Sequence, residues 1–389
     1  MKSTLMRRIF CVSAVVLAAW HAPAAPQPRA RSRPSKPPFA TASNAFALVL
    51  YGRLGRTPGN LFFSPFSIST AFAMAHAGAK GETASQMASV FRFGDDAVSV
   101  GKDCADLLRR TLHDGDTSMY QLAIANALFG QSGYGFLPSF VKGLRTSYGA
   151  ELREVDFRND PESARATINR WVEERTRDKI RDILPPKTLS PDTRLVLANA
   201  VYFKADWQQK FDPSGTRSGE FRTTPTTKVT VPMMRQVAEF GYSENADFQA
   251  ISMGYSFLQT EMVVLLPKKA DGLARLEQTI TADSLDSLPS PIGEESRLLD
   301  VMLPRFEATT TFQLEETLPE MGMPLAFDSV KADFSGVNGG KQRLWIGRAI
   351  HKAFVRVNEE GTEAAAATLI ALGLGGLGHM GVKFSHAFG

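Results

Sequence analysis

Apolar residues run almost unbroken from Ile9 to Trp20, behind Lys2, Arg7 and Arg8 and ahead of the small-residue stretch Ala22-Pro23-Ala24. That order predicts a signal peptide over residues 1–24, cleaved after Ala24, and hence a secreted, extracellular protein. The run is too short to cross a bilayer, and no later stretch of about 18 apolar residues offers another span. Apolar positions then almost vanish. Residues 25–38 are rich in Pro, Arg and Ser, with little to bury, and predict a disordered basic linker.

Helical spacing begins beyond it. Phe46, Leu48, Val49 and Leu50 predict a first helix, capped by Ser43 and closed by the Pro58-Gly59 break. Ile68, Phe72 and Ala75 predict a second after Pro65, ended by the Gly78 to Gly81 region. A third is expected between Val98 and Leu112, and a fourth between Pro161 and Ile183, where Ile168, Trp171, Val172 and Ile180 recur. Leu122 to Ala125, Leu195 to Phe203 and Met262 to Leu266 instead read as strands, long or almost wholly apolar, as strands buried on both faces are. Helices dominate the first half and strands the second, without repeat or internal linker. The economical reading is one α+β domain over residues 39–389.

Composition adds bounds. With 389 residues and 43% apolar content the chain can bury a large core. The formal net charge is +4, but Lys2, Arg7 and Arg8 leave with the signal peptide, and Arg29, Arg31, Arg33 and Lys36 lie in the linker. A nearly neutral body lacks the concentrated basic face that nucleic acid needs, and neither nucleic acid nor membrane is expected as a partner. Cys11 lies in the signal peptide, so Cys104 is left without an internal disulfide partner; Leu107 and Leu108 beside it predict a buried, inert thiol.

Enzyme chemistry finds no foothold. There is no G-x-S-x-G elbow, no H-E-x-x-H and no C-x-x-C, so no catalytic residue, metal or cofactor is assigned. Gly373-Leu374-Gly375-Gly376-Leu377-Gly378 fits G-x-G-x-x-G, yet too few residues follow for the helix, strand and acidic residue of a dinucleotide site.

One late segment has an unusual pattern. Thr362, Ala364, Ala366, Thr368, Ile370, Leu372 and Leu374 would line one face of a strand, and all are small or apolar. Such a segment can be solvated as a loop or buried as a strand. Alanine alone favours a helix, but the strand-like Phe354 to Val357 precedes the run and a Gly-rich segment follows it.

An ordered series of motifs resembles the serpin family over nearly the whole mature chain. It comprises Asn60 to Ile68, Asn126 to Phe129, Ile180 to Leu184, Asn199 to Trp207, Leu303 to Phe306, Ile350 to Ala353 and Val357 to Thr368. The resemblance implies a serpin fold, α+β, with three β-sheets, about nine helices and an exposed reactive-centre loop. It implies a monomeric inhibitor that a target serine protease attacks at a bait loop; the cut loop then inserts into the main sheet and traps the acyl-enzyme. Glu359, Gly361, Thr362, Glu363, Ala364, Ala365, Ala366, Ala367 and Thr368 match the family's reactive-loop hinge. Ser64, Ser67, Asn199 and His351 match the polar shutter under the sheet, and Trp207 the breach where the loop first enters. The bait falls among Leu374, Gly375, Gly376 and Leu377.

Neither Arg nor Lys occurs between Ala364 and Val382. Trypsin-like pockets need a cation, so elastase- or chymotrypsin-like targets are expected, with a cysteine protease as a cross-class target. Lys102, Arg109 and Arg110 lie beside Asp103 and Asp106, so glycosaminoglycan binding is not expected. Val382 to Phe388 resembles the signature past the bait, with Ser385 and Ala387 in place of the usual Asp/Asn and Pro. Full-length relatives continue through two more strands, so the domain is expected to be C-terminally truncated. The alternatives are a non-inhibitory carrier or binding serpin and a truncated inactive form.

Overall fold

A proline at the first turn of a helix gives up no hydrogen bond, and Pro38 opens the first helix on that footing. The computed structural model describes residues 38–56, 59–94, 96–111, 120–256, 260–281, 284 and 296–374. The predicted signal peptide, all but the last residue of the predicted linker, the bait residues Gly375, Gly376 and Leu377, and the segment from Val382 to Phe388 lie outside them.

Helix α1 (Pro38–Leu54) starts earlier than expected because Phe39 and Ala42 extend its buried face. Ser43, the expected cap, is therefore inside the helix and buried, where its Oγ accepts from Ser69 Oγ at 3.2 Å. Helix α2 (Pro65–His76) has the expected start, with Ser64 accepting from the Ser67 N–H. Helices α3 (Gly81–Phe91) and α5 (Pro138–Tyr148) went unread in the sequence, while α4 (Ala97–Thr111) lies where the third helix was expected and buries Cys104. The fourth predicted helix, α6 (Pro161–Arg175), ends short of Ile183 because Arg177 and Asp178 take φ of 49° and 60°, outside the helical region. With α7 (Leu273–Thr279), α8 (Leu314–Glu320) and α9 (Ser335–Asn338), nine α-helices occur among the described residues.

The strands are β1 (Tyr120–Gln131), β2 (Glu151–Val155), β3 (Thr193–Asp206), β4 (Arg217–Arg222), β5 (Lys228–Glu244), β6 (Phe248–Gly254), β7 (Glu261–Pro267), β8 (Ser296–Pro304), β9 (Phe306–Gln313), β10 (Leu344–Val357) and β11 (Gly361–Leu374). They make a six-stranded sheet in the order β2-β1-β3-β11-β10-β9 and a five-stranded sheet, β4-β5-β6-β7 with β8 on β5. Three sheets were expected, and two are formed by the described residues. The long β5 pairs with β4 near its start, with β6 at its end and with β8 between, so these strands form one connected sheet.

The exposed loop was likewise expected where the described structure has a strand. Gly361–Leu374 lies between β3 and β10, antiparallel to both. It can do so because its side chains are small enough to be buried on both faces. Ile370 and Leu372 pack with Phe72 and Leu195 under the helices α1–α5; Ala365, Ala367 and Leu369 pack on the opposite face with Ile168 and Trp171 of α6; Ala366 joins Trp207 and Tyr255 against the second sheet.

Candidate functional site

The site is built along β11, from its entry turn to its far end. At Gly361 a Cβ would lie 2.0 Å from the Ala205 carbonyl oxygen and 2.8 Å from Asp206 Cα, so only a glycine lets the turn meet β3 this closely. The turn is tied by Asn358, whose N–H donates to the Gly361 carbonyl at 3.0 Å and whose Oδ1 accepts from the Gly361 N–H at 3.2 Å.

Trp207 stands beside this entry. Its ring stacks on Tyr255 with centroids 4.7 Å apart, and its Nε1–H donates to the Asn358 carbonyl at 2.9 Å. Tyr255 in turn donates to Thr362 Oγ1 at 2.7 Å. Glu359, almost fully buried, accepts from the Thr216 hydroxyl at 2.6 Å and pairs with Arg305. Burial works to raise its carboxyl pKa, but the bonds from Arg305 and Thr216 outweigh it and the net direction is down.

Midway along the strand, the residues matched to the shutter meet β11 in one hydrogen-bonded line. The Ser64 N–H donates to His351 Nε2 at 3.0 Å, which places the ring proton on Nδ1, 2.8 Å from Thr368 Oγ1. The Thr368 hydroxyl is 2.9 Å from Ser67 Oγ, and Ser67 donates to Asn199 Oδ1 at 2.5 Å. Asn199 Nδ2 donates to Asn126 Oδ1 at 2.9 Å, and Asn126 Nδ2 to the Tyr148 carbonyl at 2.6 Å. Ser67, Asn199, His351 and Thr368 have no exposed surface. Burial pushes His351 down to about 3, against an opposing hydrogen bond at the Ala367 backbone, so the ring is neutral. Of this line, β11 supplies Thr368 alone, joining His351 on β10 to Ser67 on α2.

Glu363, on the α6 face, accepts from the Tyr202 hydroxyl at 2.8 Å and pairs with Lys179 at 3.0 Å and Arg356 at 3.6 Å. Burial favours its neutral form; the bonds from Lys179 and Tyr202, with both cations, win and hold the carboxyl below its ordinary value. Tyr202 moves the other way, up to about 12, through burial and the Glu363 carboxylate. The hinge motif pointed to Glu363; Tyr202 and Arg356 fall within the quoted Asn199 to Trp207 and Phe354 to Val357 stretches, but neither they nor Lys179 carry a sequence signal for a place beside Glu363. Asn126 was noted as motif only. At the far end, Leu374 donates its N–H to the Asp192 carbonyl at 3.0 Å and accepts from Trp345 Nε1 at 3.2 Å.

Comparison with known proteins bears on this arrangement. The family model described as Serpin (serine protease inhibitor) matches residues 41–388. The human leukocyte elastase inhibitor is 38% identical over 338 residues, covering 85% of this chain and 88% of that protein. An uncharacterised serpin-like protein of Thermococcus kodakarensis is 40% identical over 335 residues, 86% of this chain and 76% of its own. Among solved structures, one titled cleaved serpin 42Da superposes with a TM-score of 0.81 at 34% identity, covering 87% of this chain and 90% of that one.

Proposed function

This chain belongs to the serpin family, and from that premise we propose that it is a secreted inhibitor of serine proteases acting by loop cleavage, acyl-enzyme trapping and insertion of the hinge as β11. The matched family model is described as serine protease inhibitor and the human relative as an elastase inhibitor, descriptions of inhibition and not of an enzyme. The observation that carries the reading is the position of Gly361–Leu374, paired on both edges and buried on both faces at the middle of the large sheet. The same residues have the composition of a loop that water would tolerate. About a dozen ladder hydrogen bonds at roughly 1 kcal/mol net each, with the apolar area buried, supply a driving force on the scale of a domain's whole stability.

In this reading Glu359 to Thr368 are the hinge, Trp207 marks the entry, and Ser64, Ser67, Asn199 and His351 form the cluster that parts β3 from β10 and rejoins them through Thr368. The bait lies among Leu374, Gly375, Gly376 and Leu377. The lack of Arg and Lys between Ala364 and Val382 favours elastase- or chymotrypsin-like targets, and the name of the human relative points the same way. The pattern over residues 1–24 supports secretion.

The test is incubation of the chain with elastase and with chymotrypsin, followed by denaturing electrophoresis. A complex that survives denaturation is expected. A loop that is cut by both proteases with no such complex refutes inhibition and leaves the carrier or inactive readings.

A further inference from the structure

Glu363 is the only ionisable side chain of β11, and it enters the sheet flanked by groups that recognise size rather than charge. A carboxylate carried into so enclosed a position is costly unless a receiving site exists. One does. Tyr202 comes from β3, Arg356 from β10 and Lys179 from the segment after α6 that covers this face of the sheet. Lys179 Nζ and the Arg356 guanidinium both stand over the Phe354 ring, at 5.4 and 5.6 Å, and Arg177 covers the Tyr202 ring at 4.8 Å. Arg356 already pairs with Glu307 at 2.7 Å, whereas Lys179 has Glu363 as its one ion-pair partner among the described residues.

The covering segment buries Ile180, Ile183 and Leu184 against the sheet and is hydrogen-bonded both to the sheet and to α6. Lys352 donates to the Arg181 carbonyl at 2.6 Å, and Asn169 exchanges two hydrogen bonds with Leu184. Between the end of α6 and these ties, Arg177 reaches Gln121 of β1 and covers the Tyr202 ring of β3, and the Lys179–Glu363 pair is the ion pair that joins the cover to β11.

Resting on the reading of the chain as an inhibitor that works by insertion, we propose that Lys179, Tyr202 and Arg356 form a carboxylate receptor that captures Glu363 and holds the hinge in the sheet. All four are positioning residues. They touch no protease atom; they decide whether the strand stays long enough for the trapped enzyme to remain trapped.

The test is a double-mutant cycle on the full chain with Lys179→Met and Glu363→Gln, read by hydrogen exchange at the amides of residues 362–366. Each single change is expected to speed exchange about fivefold to tenfold, a range set by a partly screened charged hydrogen bond. The double variant should be no faster than the singles, and Lys179→Arg should return the original rate. Tyr202→Phe, which deletes one hydroxyl outside the hinge, must also speed exchange. Unchanged rates, or single effects that multiply in the double variant, overturn the receptor. Titration against chymotrypsin gives a second readout, in which Lys179→Met consumes several-fold more inhibitor per protease trapped. If the unaltered chain traps no protease, inhibition falls, while the exchange cycle still decides the receptor.

Discussion

The closest approach in the site is at Gly361, and adding one methyl group there isolates what insertion requires. Its φ is not in the left-handed region, so the backbone conformation itself accepts alanine. The obstacle is the neighbouring strand, since the added Cβ meets Ala205 O at 2.0 Å, Asp206 Cα at 2.8 Å and Ala205 C at 2.9 Å. These are all main-chain atoms and cannot swing aside, so the turn must move away from β3 by about an ångström, given that side-chain contacts are rarely closer than about 3 Å. That motion strains the bonds from Trp207 N–H to the Glu360 carbonyl at 2.8 Å, from Phe211 N–H to the Glu359 carbonyl at 3.0 Å, and from Trp207 Nε1 to the Asn358 carbonyl at 2.9 Å. Three bonds at about 1 kcal/mol net each come to about 3 kcal/mol, or roughly a hundredfold in the population of the closed turn. The same substitution in a solvated loop costs nothing and tends to stabilise. Gly361→Ala should therefore leave the rate of first encounter with chymotrypsin unchanged while sharply raising the number of inhibitor molecules cut per protease trapped. Gly143→Ala, where an added Cβ meets nothing within 4 Å, is the matched control. Unchanged trapping by Gly361→Ala would refute the steric argument.

Three further outcomes are expected. Under the proposed mechanism, Thr362→Arg should turn inhibition into plain cleavage, because Thr362 is buried against Tyr255 and a long charged side chain there must be desolvated; electrophoresis should find cleaved chain without complex. With His351 held at about 3 against 6.5 when unfolded, the folded chain binds fewer protons in that window, so its stability is full above 6.5 and falls as pH drops towards 3. The loss approaches about 1.4 kcal/mol per pH unit, about 2 kcal/mol by pH 5, and His351→Gln should remove that part of the slope in urea titrations. Burial pushes the Cys104 thiol up to about 12, so a thiol reagent should label Cys104 only at the rate at which the domain unfolds, as peptide mapping would read.

Apolar runs announced the buried strands well. Leu195 to Phe203 falls within β3, where a strand covered on both sides has no polar face to disguise it. Met262 to Leu266 falls within β7, but that strand is only partly buried and leaves Leu266 exposed, against the expected burial on both faces. Alternation exposed the dual character of Thr362 to Leu374, though it could not tell which of the two environments the segment occupies. Amphipathic α3 and α5 escaped notice, since their buried positions, Met87 and Phe91 or Phe140 and Leu144, are sparse and set among Gly, Ser and Thr. The Glu363 contacts were beyond reach for another reason. Lys179, Tyr202 and Arg356 meet only through the packing of α6 over the sheet and the pairing of β11 with both neighbours, and no local pattern encodes a meeting of that kind. His351 and Asn199 were legible through resemblance, but their proton order depended on seeing Ser64 at one ring nitrogen and Thr368 at the other.

Strand β11 is registered with β10 through thirteen residue pairs and with β3 through thirteen more. A strand at a sheet's edge can peel away from one neighbour; this one must abandon two at once. Such an arrangement keeps a record of what has happened to the molecule and ignores the concentration of what surrounds it. Under the mechanism proposed above, a chain in this state is spent, and a population of such molecules measures protease by the number used up, as a titrant does, instead of by occupancy.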